Sequence, residues 1–147
     1  MRADYFEGIL QLRKPSKELM DFVYIELDKN NVWVAKGGKV RGGYDFYVSS
    51  NEFLRKLALP LKKKFGGVLK MTYTLHTRKK GKDLYRTTLM FRLAPFKELD
   101  IIEFKGDTYQ VMKMGVKVEL KNMKTSKKRL VKFEDIEDSV KKITSAK

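Results

Sequence analysis

Residues 42–60 read GGYDFYVSSNEFLRKLALP, in which a strand pattern passes directly into a helix pattern. Tyr44, Phe46 and Val48 alternate with other residues, so they predict the core-facing side of a β-strand. Ser49 followed by Glu52 has the capping-box spacing, in which the hydroxyl accepts a hydrogen bond from the third residue's amide and the carboxylate bonds back. A helix is therefore predicted to begin here. Its apolar stripe consists of Phe53, Leu54, Leu57, Ala58 and Leu61.

The residues before this stretch predict a strand, a helix and a hairpin. Residues 7–13 alternate as a strand does, and residues 17–29 carry leucines and a valine at a spacing of four, as an amphipathic helix does. Residues 32–34 look like a short strand. The glycine pairs Gly37-Gly38 and Gly42-Gly43 offer turn conformations, so we expect a hairpin whose second arm is the strand at 44–48.

Two long strands are predicted after the second helix. Pro60 should kink that helix or cost it a hydrogen bond, and Gly66-Gly67 should end it. Residues 68–77 and 84–93 are rich in β-branched and aromatic side chains, and the polar residues 78–83 between them predict a hairpin tip.

A domain boundary is predicted at Ala94-Pro95, because proline cannot continue a strand ladder. Residues 1–95 are therefore expected to form a basic α+β domain of order β-α-β-β-α-β-β, with two helices and an antiparallel or mixed sheet. Residues 96–147 contain several short strand patterns separated by glycine turns, which favours a small SH3-like β-barrel. The predicted strands of this part are residues 101–104, 109–114, 116–120 and 129–133, followed by a turn at 133–136 and a frayed tail at 144–147.

The charge of the chain favours a polyanionic partner. The 147 residues contain 33 Lys and Arg against 18 Asp and Glu, a formal net charge of +15. A surplus of this size attracts nucleic acid. A thermophile's surface ion pairs would explain many charges but not their imbalance. The sequence therefore predicts nucleic-acid binding.

Several other classes of protein are disfavoured. The chain has no cysteine, which excludes disulfides and Cys-ligated zinc, and its single histidine, His76, cannot form a multi-histidine metal site. The sequence lacks an apolar run of membrane-spanning length and a signal-peptide pattern, so a cytoplasmic protein without a membrane partner is expected. We expect neither a metal nor a cofactor.

Basic residues gather in four groups. Residues 1–96 hold 20 Lys and Arg against 9 Asp and Glu, whereas residues 97–147 hold 13 against 9. Glycines beside lysines let a loop approach a phosphate chain closely, so these groups are the candidate RNA-binding residues. The groups are Lys36, Lys39 and Arg41 in the glycine-flanked hairpin; Arg55, Lys56, Lys62, Lys63 and Lys64 on the second helix; Arg78, Lys79, Lys80, Lys82 and Arg86 at the long hairpin; and, more weakly, Lys124, Lys127, Lys128 and Arg129.

Two of these groups have another explanation. A charged hairpin tip such as Lys79-Lys80 also prevents strands from pairing edge to edge. The fourth group lies near acidic residues 134–138 and would be neutralised by ion pairing with them.

The aromatic residues fall into a predicted core set and a predicted surface set. Alternation places Trp33, Phe46, Phe53 and Phe91 in the core, and Tyr47, Tyr73 and Tyr85 outside it, where stacking on bases is an option.

Catalytic chemistry is not indicated. A two-metal nuclease needs several converging carboxylates, and the first domain offers only Asp4, Glu7, Asp45 and Asp83 as candidates near its strands. His76 has no nearby Ser or Cys nucleophile in the sequence, and neither glycine pair fits a nucleotide-binding motif. We therefore expect a binding protein and not an enzyme.

Three blocks of the sequence resemble a known family. These are YFEGILQLR at 5–13, GGYDFYVSS at 42–50 opening a helix, and GKDLYR at 81–86 before a strand. They resemble the nonsense-mediated-decay-related (NMD) protein family, adaptors of the large ribosomal subunit. The middle block is the most specific, and the resemblance extends over nearly the whole chain, with the last third similar to the family's SH3-like domain.

The resemblance implies a monomeric protein that binds the joining face of the large subunit, near the tRNA sites. Eukaryotic members escort the subunit out of the nucleus, whereas an archaeal-type member would act in late assembly or quality control. The family's N-terminal zinc module with paired CxxC motifs has no counterpart in this sequence. The family's C-terminal OB-like and export segments have none either, and their absence argues against a transport role.

Two functions follow as hypotheses. The first is an adaptor that binds the ribosomal RNA and ribosomal proteins of the large subunit without turnover. The second is a protein-interaction module of the translation machinery, in which the SH3-like barrel docks a translation factor or a ribosomal protein. Steep weakening of binding with salt would favour the first, because phosphate contacts release counterions.

Overall fold

The computed structural model describes residues 5–136 and 140–144, with residues 79 and 140–144 described by their backbone alone. The chain divides into two compact units. The first contains the chain up to Ala58 together with Leu69–Arg92. The second contains Leu59–Val68 together with the chain from Leu93 onward.

The first seven elements follow the predicted order β-α-β-β-α-β-β, which is confirmed. They are β1 (Gly8–Arg13), α1 (Lys17–Lys29), β2 (Val34–Val40), β3 (Gly43–Val48), α2 (Asn51–Phe65), β4 (Gly67–Lys79) and β5 (Lys82–Leu93).

The five strands form one mixed sheet in the order β2-β3-β1-β5-β4. Strand β1 runs antiparallel to β3 and parallel to β5, so that Leu10 lies between Phe46 and Leu89. All three side chains are buried on one face of the sheet. The predicted alternation of residues 44–48 is therefore confirmed at Phe46 and at Val48, both of which are buried.

Both helices pack on this buried face. The ring of Tyr24 in α1 meets Phe46 edge to face at 5.6 Å. A methyl group added at Gly8 of β1 would come within 2.6 Å of Leu54 in α2, so only glycine permits this approach. The buried stripes of the helices are Leu19, Val23 and Leu27 in α1, and Phe53, Leu54 and Leu57 in α2.

Three local predictions were wrong. Gly37 and Gly38 lie inside β2 and pair with β3, so they do not form a turn. The hydroxyl of Ser50, and not that of Ser49, accepts the hydrogen bond from the amide of Phe53 at 3.1 Å and begins α2. The hydroxyl of Ser49 instead accepts the amide of Trp33 at 2.9 Å. Trp33 is 53% exposed because it precedes β2, the edge strand, which begins only at Val34.

The second helix passes through Pro60 and ends where predicted. Gly66 has a φ of +75°, which ends the helix, and its amide donates to the carbonyl of Lys62 at 3.2 Å. A Cβ atom at Gly66 would lie 2.9 Å from the ring of Phe133 and 2.9 Å from Met114, both in the second unit. This position therefore requires glycine for its backbone and for its packing.

The second unit contains an antiparallel sheet in the order β10-β6-β7-β8-β9. Its elements are β6 (Ile101–Phe104), β7 (Asp107–Met114), β8 (Val118–Asn122), β9 (Lys128–Val131), the short helix α3 (Phe133–Ile136) and β10 (Val140–Thr144). Side chains from β6, β7 and β8 form its core together with Val68, Phe96 and Phe133.

Several details of this unit differ from the sequence prediction. Strand β8 begins at Val118 and not at residue 116, β9 ends at Val131 and not at residue 133, and β10 was not predicted. The turn predicted at 133–136 is present and is helical. Thr144 belongs to β10 and not to a frayed tail, while residues 145–147 lie outside the described part of the chain. In the part that is described, β9 and β10 are the two edges of the sheet and do not pair. The SH3-like barrel stays a prediction.

Candidate nucleic-acid interface

The first basic group lies on the hairpin of β2 and β3. Lys36 and Lys39 are on β2 and Arg41 is in the turn, and all three side chains are exposed. Lys36 pairs across to Tyr47, whereas Lys39 pairs across to Tyr44, so the two lysines point to opposite faces of the sheet edge. None of the three forms an ion pair within the described residues.

The second group divides along α2. Arg55 and Lys56 belong to the first unit, whereas Lys62, Lys63 and Lys64 belong to the second. Lys56 forms an ion pair with Glu52 at 3.0 Å, and the hydrogen bond and charge of Lys56 hold the pKa of Glu52 below its ordinary value. Arg55 is exposed and has no ion pair in the described part of the chain. Lys62, Lys63 and Lys64 form the last turn of the helix, with Lys63 and Lys64 exposed and Lys62 half-buried.

The third group lies at the tip of the hairpin of β4 and β5. Arg78 is partly neutralised, because its Nε donates to Asp83 at 2.7 Å. Lys80 and Lys82 are exposed and form no ion pair within the described residues, while the side chain of Lys79 lies outside them. The tip therefore presents at least two lysines available to a phosphate chain.

The fourth group is on β9 and the loop before it. Lys128 approaches Glu119 at 3.9 Å, and Arg129 lies 5.8 Å from the ring centroid of Phe104. Lys127 is exposed. The predicted neutralisation by acidic residues 134–138 is not seen for Glu134 and Asp135, and residues 137–139 lie outside the described part of the chain.

A row of cations and aromatic rings crosses the sheet face opposite the helices. The Nζ of Lys36 lies 5.7 Å from the ring centroid of Tyr47. That ring meets Phe6 edge to face at 4.9 Å, and the guanidinium of Arg86 stacks on Phe6 at 3.9 Å. Tyr47 was predicted to face away from the core; it is half-buried by this stacking.

The row ends at a cleft of about 1180 Å³ within the first unit. Its walls come from the segment before β1, the first turns of α2, and strands β4 and β5. The side chains that matter for its chemistry are Tyr5, Tyr73, Tyr85, Arg55, Arg86 and His76.

The side chain of Asn51 fixes the geometry of this cleft. Its Nδ2 donates to the carbonyl of Tyr85 at 3.0 Å, and its Oδ1 accepts from the amide of Thr87 at 3.1 Å. The amide of Asn51 donates to Glu7 at 3.1 Å. The first turn of α2 is thereby tied to both β5 and the segment before β1.

The carboxylates around the cleft are already engaged. Glu7 accepts hydrogen bonds from Asn51 and from the hydroxyl of Tyr5, and the latter bond, followed by burial, raises the pKa of Tyr5 above its ordinary value. Asp83 is held by Arg78, with the hydroxyl of Tyr85 at 3.5 Å.

The sequence predicted most of the cations of this site and two of its tyrosines. It did not predict that these side chains lie close together. The predicted exposure of Tyr73 and Tyr85 is confirmed. Tyr5, Phe6 and the partnership of Phe6 with Arg86 were missed. The signal available was the aromatic pair Tyr5-Phe6 and the aromatic-cation pair Tyr85-Arg86, which becomes meaningful only once β1 is known to run parallel to β5.

The described ranges contain no group of three His, Cys, Asp or Glu side chains placed to hold a metal ion. No helix among the described residues is both long enough and apolar enough to cross a membrane.

The comparison with known families identifies the chain. A family model described as NMD3, second domain, matches residues 5–93, which is more than half of the sequence. A search of curated proteins finds no match. The matched residues cover the whole of the mixed sheet and the cleft described above, and the resemblance of the three sequence blocks is confirmed. The chain belongs to the NMD3 family.

Proposed function

We propose that this chain is a non-enzymatic adaptor that binds the ribosomal RNA of the large ribosomal subunit in the cytoplasm, as a monomer, during late assembly or quality control. Membership of the NMD3 family supports a ribosome-associated role. Nuclear export is part of this proposal for eukaryotic relatives and not for this chain.

The observation that carries the proposal is the placement of the unpaired cations. The net charge is +15, and Lys36, Lys39, Arg41, Lys80 and Lys82 occupy two exposed hairpins of the first unit without carboxylate partners in the described residues. Charges that serve stability would be expected in ion pairs. Unpaired cations on exposed hairpins instead suit a phosphate backbone.

Salt dependence of binding tests the proposal. We expect the chain to co-sediment with purified large subunits, and its affinity to fall linearly with the logarithm of salt concentration, with a slope of about 0.7–0.9 per phosphate neutralised. Purified small subunits at the same concentrations are the control for non-specific attraction. Equal binding to both subunits, or an affinity independent of salt, would refute the proposal.

A second candidate function rests on the second unit. Leu130 is 64% exposed on β9, an edge strand of the sheet, and Met123 is 51% exposed in the preceding turn. An apolar edge of this kind is a docking surface for a protein strand. The alternative proposal is that this unit forms the SH3-like barrel of a protein-interaction module and docks a ribosomal protein or a translation factor. Replacement of Leu130 by serine, which leaves the net charge unchanged, would then weaken large-subunit binding without changing its salt slope.

A further inference from the structure

Exposed aromatic rings concentrate at the cleft of the first unit. Tyr5, Tyr73 and Tyr85 are 37%, 57% and 49% exposed, and all three line this one concave surface. Scattered exposed apolar residues are normal, but a group of them in a concavity marks a binding surface. Their planar rings suit a flat, aromatic ligand group.

The lining of the cleft mixes charges of both signs. Glu7, Glu52 and Asp83 line it together with Arg55 and Arg86. Each carboxylate near a bound phosphate would oppose its binding, whereas an uncharged planar group that carries hydrogen-bond donors and acceptors meets no such repulsion.

Two buried polar atoms beside the cleft lack partners. Thr87 is 1% exposed and lines the cleft, and its hydroxyl has no hydrogen-bond partner within the described residues. The Nε of Arg86, whose guanidinium stacks on Phe6, is also buried and unsatisfied. Leaving such groups unpaired costs free energy, so they favour a ligand with hydrogen-bond acceptors, because the Nε of Arg86 only donates and the hydroxyl of Thr87 can donate.

We propose that this cleft binds an unpaired nucleobase of RNA, stacked on its tyrosines. The inference rests on the proposed RNA-binding function and adds to it a site that recognises a base and not the backbone. A nucleobase is uncharged at neutral pH, planar, and edged with donors and acceptors, which are the properties that the cleft selects.

The surroundings of the cleft suit the phosphates on either side of such a base. Strands β4 and β5 form one of its walls, and the same hairpin carries Lys80 and Lys82 at its tip. The cation and ring row from Lys36 to Arg86 leads away from it across the sheet. Single-stranded nucleic acid is bound elsewhere by this combination of cationic track and aromatic platform.

Two oligomers of equal length and charge separate base binding from phosphate binding. One is a twelve-residue oligoadenylate carrying 2-aminopurine, and the other is a twelve-residue abasic sugar-phosphate chain. We expect the full chain to bind the base-bearing oligomer about tenfold more tightly, since stacking contributes roughly a factor of ten per base. We also expect 2-aminopurine fluorescence to be quenched on binding.

Variants at one tyrosine locate the effect. Tyr85→Ala should remove most of the tenfold preference and the quenching while leaving the salt slope unchanged, because no phosphate contact is lost. Tyr85→Phe keeps the ring and should behave like the unmodified chain. Tyr24→Ala is the control outside the cleft, because Tyr24 is 48% exposed on α1 and does not line it. Circular dichroism establishes that each variant is folded.

The outcomes distinguish this inference from the proposed function. Equal, salt-dependent affinity for both oligomers would overturn the base site and leave phosphate binding standing. Failure to bind either oligomer at low salt would overturn both. A preference for bases that survives Tyr85→Ala but is lost in Tyr24→Ala would also overturn the cleft as its location.

Discussion

At Gly66 a backbone requirement and a packing requirement meet. It has φ +75°, and the ring of Phe133, which an added Cβ would approach to 2.9 Å, is 2% exposed. Met114 at the same distance is less restrictive, because its terminal methyl belongs to a flexible side chain. The buried ring cannot move without opening the core.

Gly66→Ala is therefore expected to destabilise the second unit by about 3 kcal/mol, of which about 1–2 kcal/mol comes from the left-handed backbone and the rest from overpacking. Gly106→Ala is the matched control, since Gly106 has φ +83° in the same unit and open space around its Cβ position. The control should lose about 1–2 kcal/mol alone. Urea unfolding followed by circular dichroism measures both, and equal losses would contradict the packing argument.

Helices and strands with a strong hydrophobic period were predictable from the sequence. The exact start of a helix, and whether a strand lies at the centre or at the edge of its sheet, were not. The bounds of α1 at Lys17–Lys29 match the prediction because Leu19, Val23 and Leu27 repeat at helical spacing over its whole length. Trp33 was assigned to the core because a short apolar run does not reveal whether its strand is central or at an edge. The cap of α2 was misplaced by one residue because Ser49 and Ser50 offer the same chemistry.

The cleft could not have been predicted from sequence spacing. Its walls come from residues about 80 positions apart, which meet because Gly8 of β1 pairs with Thr87 of β5 in a parallel ladder. Parallel pairing leaves no local signal comparable to a hairpin turn. The cations were easier to find, because each group lies within one turn or one helix.

The hairpin of β4 and β5 is the element whose charge we expect to matter most. Lys80→Glu combined with Lys82→Glu should weaken RNA binding and reduce the salt slope by about 2, or about 1 for each lysine that contacts a phosphate. Lys105→Glu combined with Lys117→Glu is the control, because it makes the same change in net charge at exposed residues, and Lys105 precedes Gly106 in a turn with the same φ of 50° that Lys80 has before Gly81. Filter binding at four salt concentrations measures the slopes, and the same reduction in both variants would exclude a specific role for the hairpin.

The whole chain is built from two units whose sequences interleave. Leu59–Val68 belongs to the second unit, and within it Val68 is 1% exposed in the core with Phe96, Phe104 and Phe133. A unit with a core of this size has a small free energy of unfolding, because small domains bury a smaller fraction of their surface.

Val68→Ala in the full chain is therefore expected to destabilise the second unit by about 2–3 kcal/mol, because it leaves a gap in the core. Leu59→Ala is the matched control, since Leu59 lies in the same segment and is 51% exposed. The control should cost less than about 0.5 kcal/mol. Urea unfolding followed by circular dichroism measures both variants, and equal losses would show that the sheet of β6 to β10 does not depend on the packing of Val68.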